Sequence, residues 1–140
     1  MDKNKKVTYA DKDASWELYV ELNTKMTTQS ITQYHNDEPT TGDSKSALTS
    51  VYSIFPETRD ILKRYGLQGE QFANLAFKML NVEIRPFTTK WHKEGLPPHR
   101  IRPDKFQEDL KQLQSDLAPY VAKFLEMAST KDELLDKVEE

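Results

Sequence analysis

Asn74 to His92, NLAFKMLNVEIRPFTTKWH, is the stretch whose reading decides the fold. It reads as one long helix, or as two half-helices hinged at Pro86. Phe72, Leu75, Ala76, Met79, Leu80, Val82, Ile84, Phe87 and Trp91 recur at helical intervals and form a wide apolar face. Beside that face runs a polar stripe, Asn81, Arg85, Thr88 and His92, at steps of 4, 3 and 4. If the helix continues through Pro86, all four point the same way. Proline disfavours helical geometry at the residue before it, here Arg85, so the same stretch carries a reason for the stripe to break.

Working outward, this third helix begins near Gln68 or Gly69 and is ended by Gly95 and the Pro97-Pro98 pair. Residues 95–103, GLPPHRIRP, read as a stiff linker. The fourth helix opens at Asp104. Phe106, Leu110, Leu113, Leu117, Tyr120, Phe124 and Met127 follow at steps of 4, 3, 4, 3, 4 and 3, three heptads without a fault. Pro119 lies inside it and predicts a bend. Such a stripe can pack within the chain or form a dimer seam, and in-chain packing is placed first.

Upstream, the second helix starts at Asp43 or Ser44 and runs to about Tyr65, with Leu48, Val51, Tyr52, Phe55, Ile61, Leu62 and Tyr65 on its apolar side. Pro56 predicts a kink or a break there. Gly66 is a natural stop. Residues 30–42, SITQYHNDEPTTG, read as a loop, with His35 exposed in it. The first helix is expected from about Asp13 to Gln29, with Trp16, Tyr19, Val20, Asn23 and Met26 on one side and Leu18 and Leu22 widening that face. Residues 1–11 are expected as a flexible arm. Residues 130–140 read as an acidic tail that frays or forms a short fifth helix. The whole, residues 1–140, is expected to be one all-α domain: an antiparallel four-helix bundle with helices kinked at Pro56, Pro86 and Pro119.

Composition narrows the function. The apolar fraction is 36% and the charged fraction 31%, too apolar for a disordered chain. The net charge of −3 gives no general pull toward nucleic acid or anionic membrane. The chain has no cysteine, which excludes disulfides and thiolate metal sites. No apolar run approaches a membrane span, and the lysine-rich start lacks the apolar core of a secretory signal, so the cytoplasm is the expected location. The three histidines lack metal-ligand spacing and the four glycines make no phosphate-cradling loop, so neither metal nor cofactor is expected.

Recognition chemistry is expected at Asn81, Arg85, Lys90, Trp91 and His92. An imidazole trades protons near neutral pH, and a guanidinium holds a phosphate bidentately. The surroundings are locally basic. From Arg85 to Lys105 there are six Lys/Arg against Glu94 and Asp104, beside Trp91, His92 and His99. Such a patch suits a phosphate backbone or an anionic ligand. It suits equally the acidic segment from Phe106 to Glu140 of the same chain.

Arg85 and His92 form R-x6-H, which resembles the R-x4–6-H signature of HEPN-type helical ribonucleases. That resemblance implies an Arg and a His acting on the scissile phosphate and 2′-hydroxyl of RNA. The polar residue that follows the Arg in those enzymes is Pro86 here. A second resemblance rests on three blocks: Trp16-Glu17-Leu18-Tyr19-Val20-Glu21-Leu22; Leu48-Thr49-Ser50-Val51-Tyr52-Ser53-Ile54-Phe55 with Thr58-Arg59-Asp60-Ile61-Leu62; and Leu80-Asn81, Arg85-Pro86-Phe87 and Lys90-Trp91-His92. These are similar to blocks shared by small bacterial helical proteins without an established activity. The resemblance implies a bacterial cytosolic protein, in the neighbourhood of anti-phage defence.

Three functions follow as expectations. The first is a non-enzymatic helical adaptor or regulatory module that acts through protein–protein contact or self-association. The second is a HEPN-like ribonuclease using Arg85 and His92. The third is a sensor that holds a small anionic or nucleotide ligand.

Overall fold

The structure is a computed structural model that describes residues 6–25, 41–94 and 103–135. His35, Met26, His99, the Pro97-Pro98 linker and residues 136–140 of the tail lie outside them. The described residues are all-α, with no β-strand among them. Helix α1 spans Tyr9–Lys25, α2 Thr41–Tyr65, α3 Glu70–Lys78, α4 Arg85–Glu94 and α5 Pro103–Ala128. A π-helical segment, Met79–Ile84, joins α3 directly to α4.

Helix α1 starts four residues before the expected Asp13, because Thr8 and Asp11 close a capping box. The Asp11 amide donates to Thr8 Oγ1 at 3.0 Å, and the Thr8 amide donates to Asp11 Oδ2 at 3.0 Å. The remaining oxygen, Oδ1, accepts the Phe72 amide of α3 at 2.9 Å. Thr8 Oγ1 in turn donates to the Gln68 carbonyl at 2.7 Å. One carboxylate, 1% exposed, therefore satisfies orphan amides at the starts of two helices. The last residues of the expected 1–11 arm are part of this joint.

The same bond sets the rotation of α1. With Asp11 turned inward, Ala14, Ser15, Leu18 and Leu22 follow it into the core at one-turn intervals. Trp16 and Val20 are carried outward, and Trp16 is 53% exposed. The inner side expected from Trp16 and Val20 is thus corrected. α1 carries two stripes that can bury, and the buried polar anchor selects the one with smaller side chains.

Helices α1 and α2 run in opposite directions. Glu17 accepts hydrogen bonds from Arg64 and the Tyr65 hydroxyl, while Lys25, two turns on, pairs with Glu57 near the middle of α2. Helix α2 passes through Pro56 as one helix, without the expected break. It ends at Gly66, whose φ of +65° is a left-handed conformation that glycine adopts without a Cβ clash. A 3₁₀ turn, Gly66–Gly69, leads into α3.

From α3 to α4 the buried side chains are Phe72, Ala76, Met79 and Leu80, then Ile84, Phe87, Thr88 and Trp91; the trios Phe72–Ala76–Met79 and Ile84–Phe87–Trp91 each keep one-turn steps, with a step of 5 between them. The step of 5 is one residue too long. In a straight α-helix it would turn the second trio about 100° away from the first. The π segment absorbs that residue: the Arg85 amide donates to the Leu80 carbonyl, five residues back. Pro86 sits just beyond and has no amide to give to Val82. Val82 is put outside, at 56% exposure, against the expectation that it faces the core.

Helix α5 is continuous through Pro119. Its heptad residues Phe106, Leu110, Leu113, Leu117, Tyr120 and Phe124 are all buried inside the chain, so the stripe is consumed by in-chain packing. Phe124 meets Phe72 at 5.6 Å between ring centroids, and Phe106 meets Phe87 at 5.5 Å and Trp91 at 5.1 Å. The α3–α4 run is therefore antiparallel to α5. Each fully buried Phe contributes about 1.5–3 kcal/mol, against about 0–1 kcal/mol for a surface ion pair such as Lys12–Asp132. The α5 seam, not the ion pairs, holds the fold. After α5 the expected fifth helix is a three-residue 3₁₀ turn, Asp132–Leu134, followed by the buried Leu135.

Two outcomes follow. Asp11→Ala leaves two amides without their acceptor and is expected to lower unfolding free energy by about 2–4 kcal/mol, measured by urea denaturation. The Tyr120 hydroxyl donates to Glu83 Oε2 at 2.8 Å, and burial first, then that bond, pushes its pKa up to about 12. A raised folded-state value stabilises the native state fully below the ordinary tyrosine value of about 10. That contribution is lost as pH rises through about 12. Tyr120→Phe should flatten this alkaline loss in denaturation curves taken across that window.

Candidate functional site

An open groove of about 540 Å³ lies between α2 and α4. It is lined by Tyr52, Phe55 and Arg59 from α2 and by Arg85, Thr88, Thr89 and His92 from α4. The α2 residues stand at steps of 3 and 4, along the border of that helix's buried face. The helices cross this groove in opposite directions: Phe55 faces Arg85, while Tyr52 faces Thr88 and His92.

Arg85 is positioned from three sides. The π turn fixes its backbone, its Nε donates to Asn81 Oδ1 at 3.2 Å, and its guanidinium lies over the Phe55 ring at 5.1 Å. Among the described residues no carboxylate lines the groove, and neither Arg59 nor Arg85 has an acidic partner. Two carboxylates of α1 are engaged elsewhere: Glu17 with Arg64 and Tyr65, Glu21 with Lys25 at 3.4 Å. The groove thus holds two guanidiniums and one imidazole on an aromatic floor.

The floor is fixed by a hydrogen bond between the helices. The Tyr52 hydroxyl donates to the Thr88 carbonyl at 3.1 Å, and burial raises the tyrosine pKa above its ordinary value. Thr88 is buried and donates its hydroxyl to the Arg85 carbonyl at 3.1 Å, while Thr89 is exposed. His92 is exposed and meets the Tyr52 ring edge to face, 6.4 Å between centroids.

The sequence candidates divide into two groups. Asn81, Arg85 and His92 belong to the groove or support it. Lys90 and Trp91 do not: they turn toward α5. Lys90 Nζ donates to Asp109 Oδ2 at 2.6 Å, and the Trp91 indole N–H donates to the same oxygen at 3.2 Å. Trp91 is 1% exposed and Lys90 lies 5.3 Å above its ring. Within the basic segment from Arg85 to Lys105, this pair is thus spent on the acidic helix of the same chain. Arg100 and Arg102 lie outside the described residues. Tyr52, Phe55 and Arg59 were absent from the sequence-based set, although Arg59 continues the Tyr52–Phe55 edge by one turn.

Two other open grooves carry charges of both signs. The α1–α2 groove mixes Glu17, Glu21, Glu57 and Asp60 with Arg64, and the α3–α5 groove mixes Lys78 and Lys123 with Glu126. Among the described residues no group of three or more His, Asp or Glu could hold a metal ion, and no helix is long and apolar enough to cross a membrane. No family model, characterised protein or solved structure matches this chain.

The division between groove and α5 seam has a measurable consequence. Asp109→Ala strips a buried indole of its acceptor and should cost about 1–3 kcal/mol in urea unfolding. Lys90→Ala, which removes only the exposed half of the cluster, should cost less than about 1 kcal/mol.

Proposed function

We propose that the chain is a non-enzymatic regulatory module that works by binding a small anionic ligand in the α2–α4 groove. In this reading the helices form an antiparallel four-helix bundle, bent at Pro56, Pro86 and Pro119, that serves as a rigid frame for the groove. The observation that carries the reading is the charge of the lining. Arg59, Arg85 and His92 share one groove with no carboxylate among its lining residues, in a chain whose net charge is −3. Among the described residues these two guanidiniums have no acidic partner and so add no ion pair to the fold. Such forks match phosphate and carboxylate oxygens and bind them with charge-assisted bonds.

The heptad stripe from Phe106 to Phe124, which could have offered the adaptor expectation a dimer seam, is buried within the chain. A second reading keeps one specific observation in its favour: Arg85 and His92, the pair of the ribonuclease resemblance, line the same groove.

Thermal denaturation with inorganic pyrophosphate tests the binding reading. A ligand that binds only the folded chain stabilises it by about 2.7 kcal/mol at a hundred times its Kd, and the melting temperature should rise. Arg59→Ala and Arg85→Ala should each weaken binding about 10- to 100-fold, the loss of one charged hydrogen-bonding group, without lowering the melting temperature of the free protein. No shift with pyrophosphate would refute the reading. Cleavage of single-stranded RNA, lost in Arg85→Ala and His92→Ala, would replace it with the nuclease.

A further inference from the structure

The groove is not uniform along its length. At one end Arg85 lies over the Phe55 ring at 5.1 Å, and Arg59 follows Phe55 by one turn on the same side of α2. Arg59 and Arg85 therefore both line the Phe55 end of the groove. At the other end Tyr52, one turn back on α2, meets His92 with the two rings at 85° to one another. Those rings form a corner in which a third planar ring can lie flat on one and edge-on to the other, the two geometries that aromatic rings prefer. Arg85 and His92 are seven residues apart on α4, about 10 Å of helical rise. Between the two ends the exposed Thr89 supplies a hydroxyl.

Resting on the anion-binding reading of this groove, we infer that its ligand is a phosphate ester carrying a planar aromatic ring, the class of nucleoside monophosphates. The phosphate lies between Arg59 and Arg85, and the ring lies against Tyr52 and His92. The separation of the cationic and aromatic ends suits a phosphate joined to a base through a sugar, with Thr89 beside the sugar. A simple inorganic anion would fill only the Arg59 end. The groove volume of about 540 Å³ falls in the range of small-ligand sites. The groove has one cationic end rather than a repeating run, which favours a mononucleotide over a polynucleotide.

Isothermal titration of the full chain with adenosine and guanosine 5′-monophosphates, ribose 5-phosphate, inorganic pyrophosphate and a single-stranded oligoribonucleotide tests this. At least one mononucleotide should bind ten-fold or more tightly than ribose 5-phosphate. His92→Ala, a change at an exposed side chain, should remove that preference and leave pyrophosphate binding as it is. Arg59→Ala should weaken every phosphate compound alike. Equal affinity for ribose 5-phosphate and both mononucleotides would overturn the ring site while leaving the anion site standing. An oligoribonucleotide that binds more tightly than any mononucleotide would also overturn it. Failure of pyrophosphate and every phosphate ester to bind would overturn both.

Discussion

The run from Glu70 to Glu94 has to present one continuous apolar face to α5 although two of its buried trios are one residue out of step, with the buried Leu80 between them. Phe72, Ala76 and Met79 keep the interval of one helix face, and Ile84, Phe87 and Trp91 keep the same interval, but five residues separate Met79 from Ile84. In an unbroken α-helix the two trios would centre about 100° apart, with the buried Leu80 between them. Exposing three large side chains would cost several times about 2 kcal/mol, whereas the widened turn loses only regular hydrogen bonding over a few residues. The π segment is the cheaper solution, and Pro86 helps by withholding the amide that would extend the α ladder to Val82.

This local compromise decides what α4 shows to the rest of the molecule. With Phe87 and Trp91 directed at Phe106, the opposite border of α4 carries Arg85, Thr89 and His92 along α2. Two buried or half-buried carboxylates lock the frame around it. Asp11 ties α1 to the start of α3 through the Phe72 amide, and Asp109 ties α4 to α5 through the Trp91 indole. Both act by satisfying donors that burial would otherwise leave bare. The groove is what remains where α2 and α4 meet without such a carboxylate.

Much of the helical content is legible in the sequence because it rests on long periodic runs. The heptads from Phe106 to Met127 and the Gly66 stop need no tertiary information. The rotation of α1 is different. Trp16, Tyr19 and Val20 make as good a stripe as Ala14, Leu18 and Leu22, and the choice is made by a hydrogen bond from Phe72, sixty-one residues away. The direction of Lys90 and Trp91 is hidden for a related reason: a basic residue beside an aromatic looks the same whether it faces a ligand or, as here, the single oxygen Asp109 Oδ2. Arg59 could have been found by extending the Tyr52–Phe55 edge one more turn, whereas the π turn is masked in the sequence because the apolar Leu80 stands four residues before Ile84.

The orientation of α4, and with it the groove, depends on the hydrogen bond from the Arg85 amide to the Leu80 carbonyl. Scalar coupling across that bond, measured by NMR on isotope-labelled protein, reads it directly. The account predicts coupling between the Arg85 nitrogen and the Leu80 carbonyl carbon, five residues back. Coupling to the Asn81 carbonyl instead, four residues back, would mean a regular α ladder through this segment, and Arg85 would no longer be turned by a π turn over Phe55.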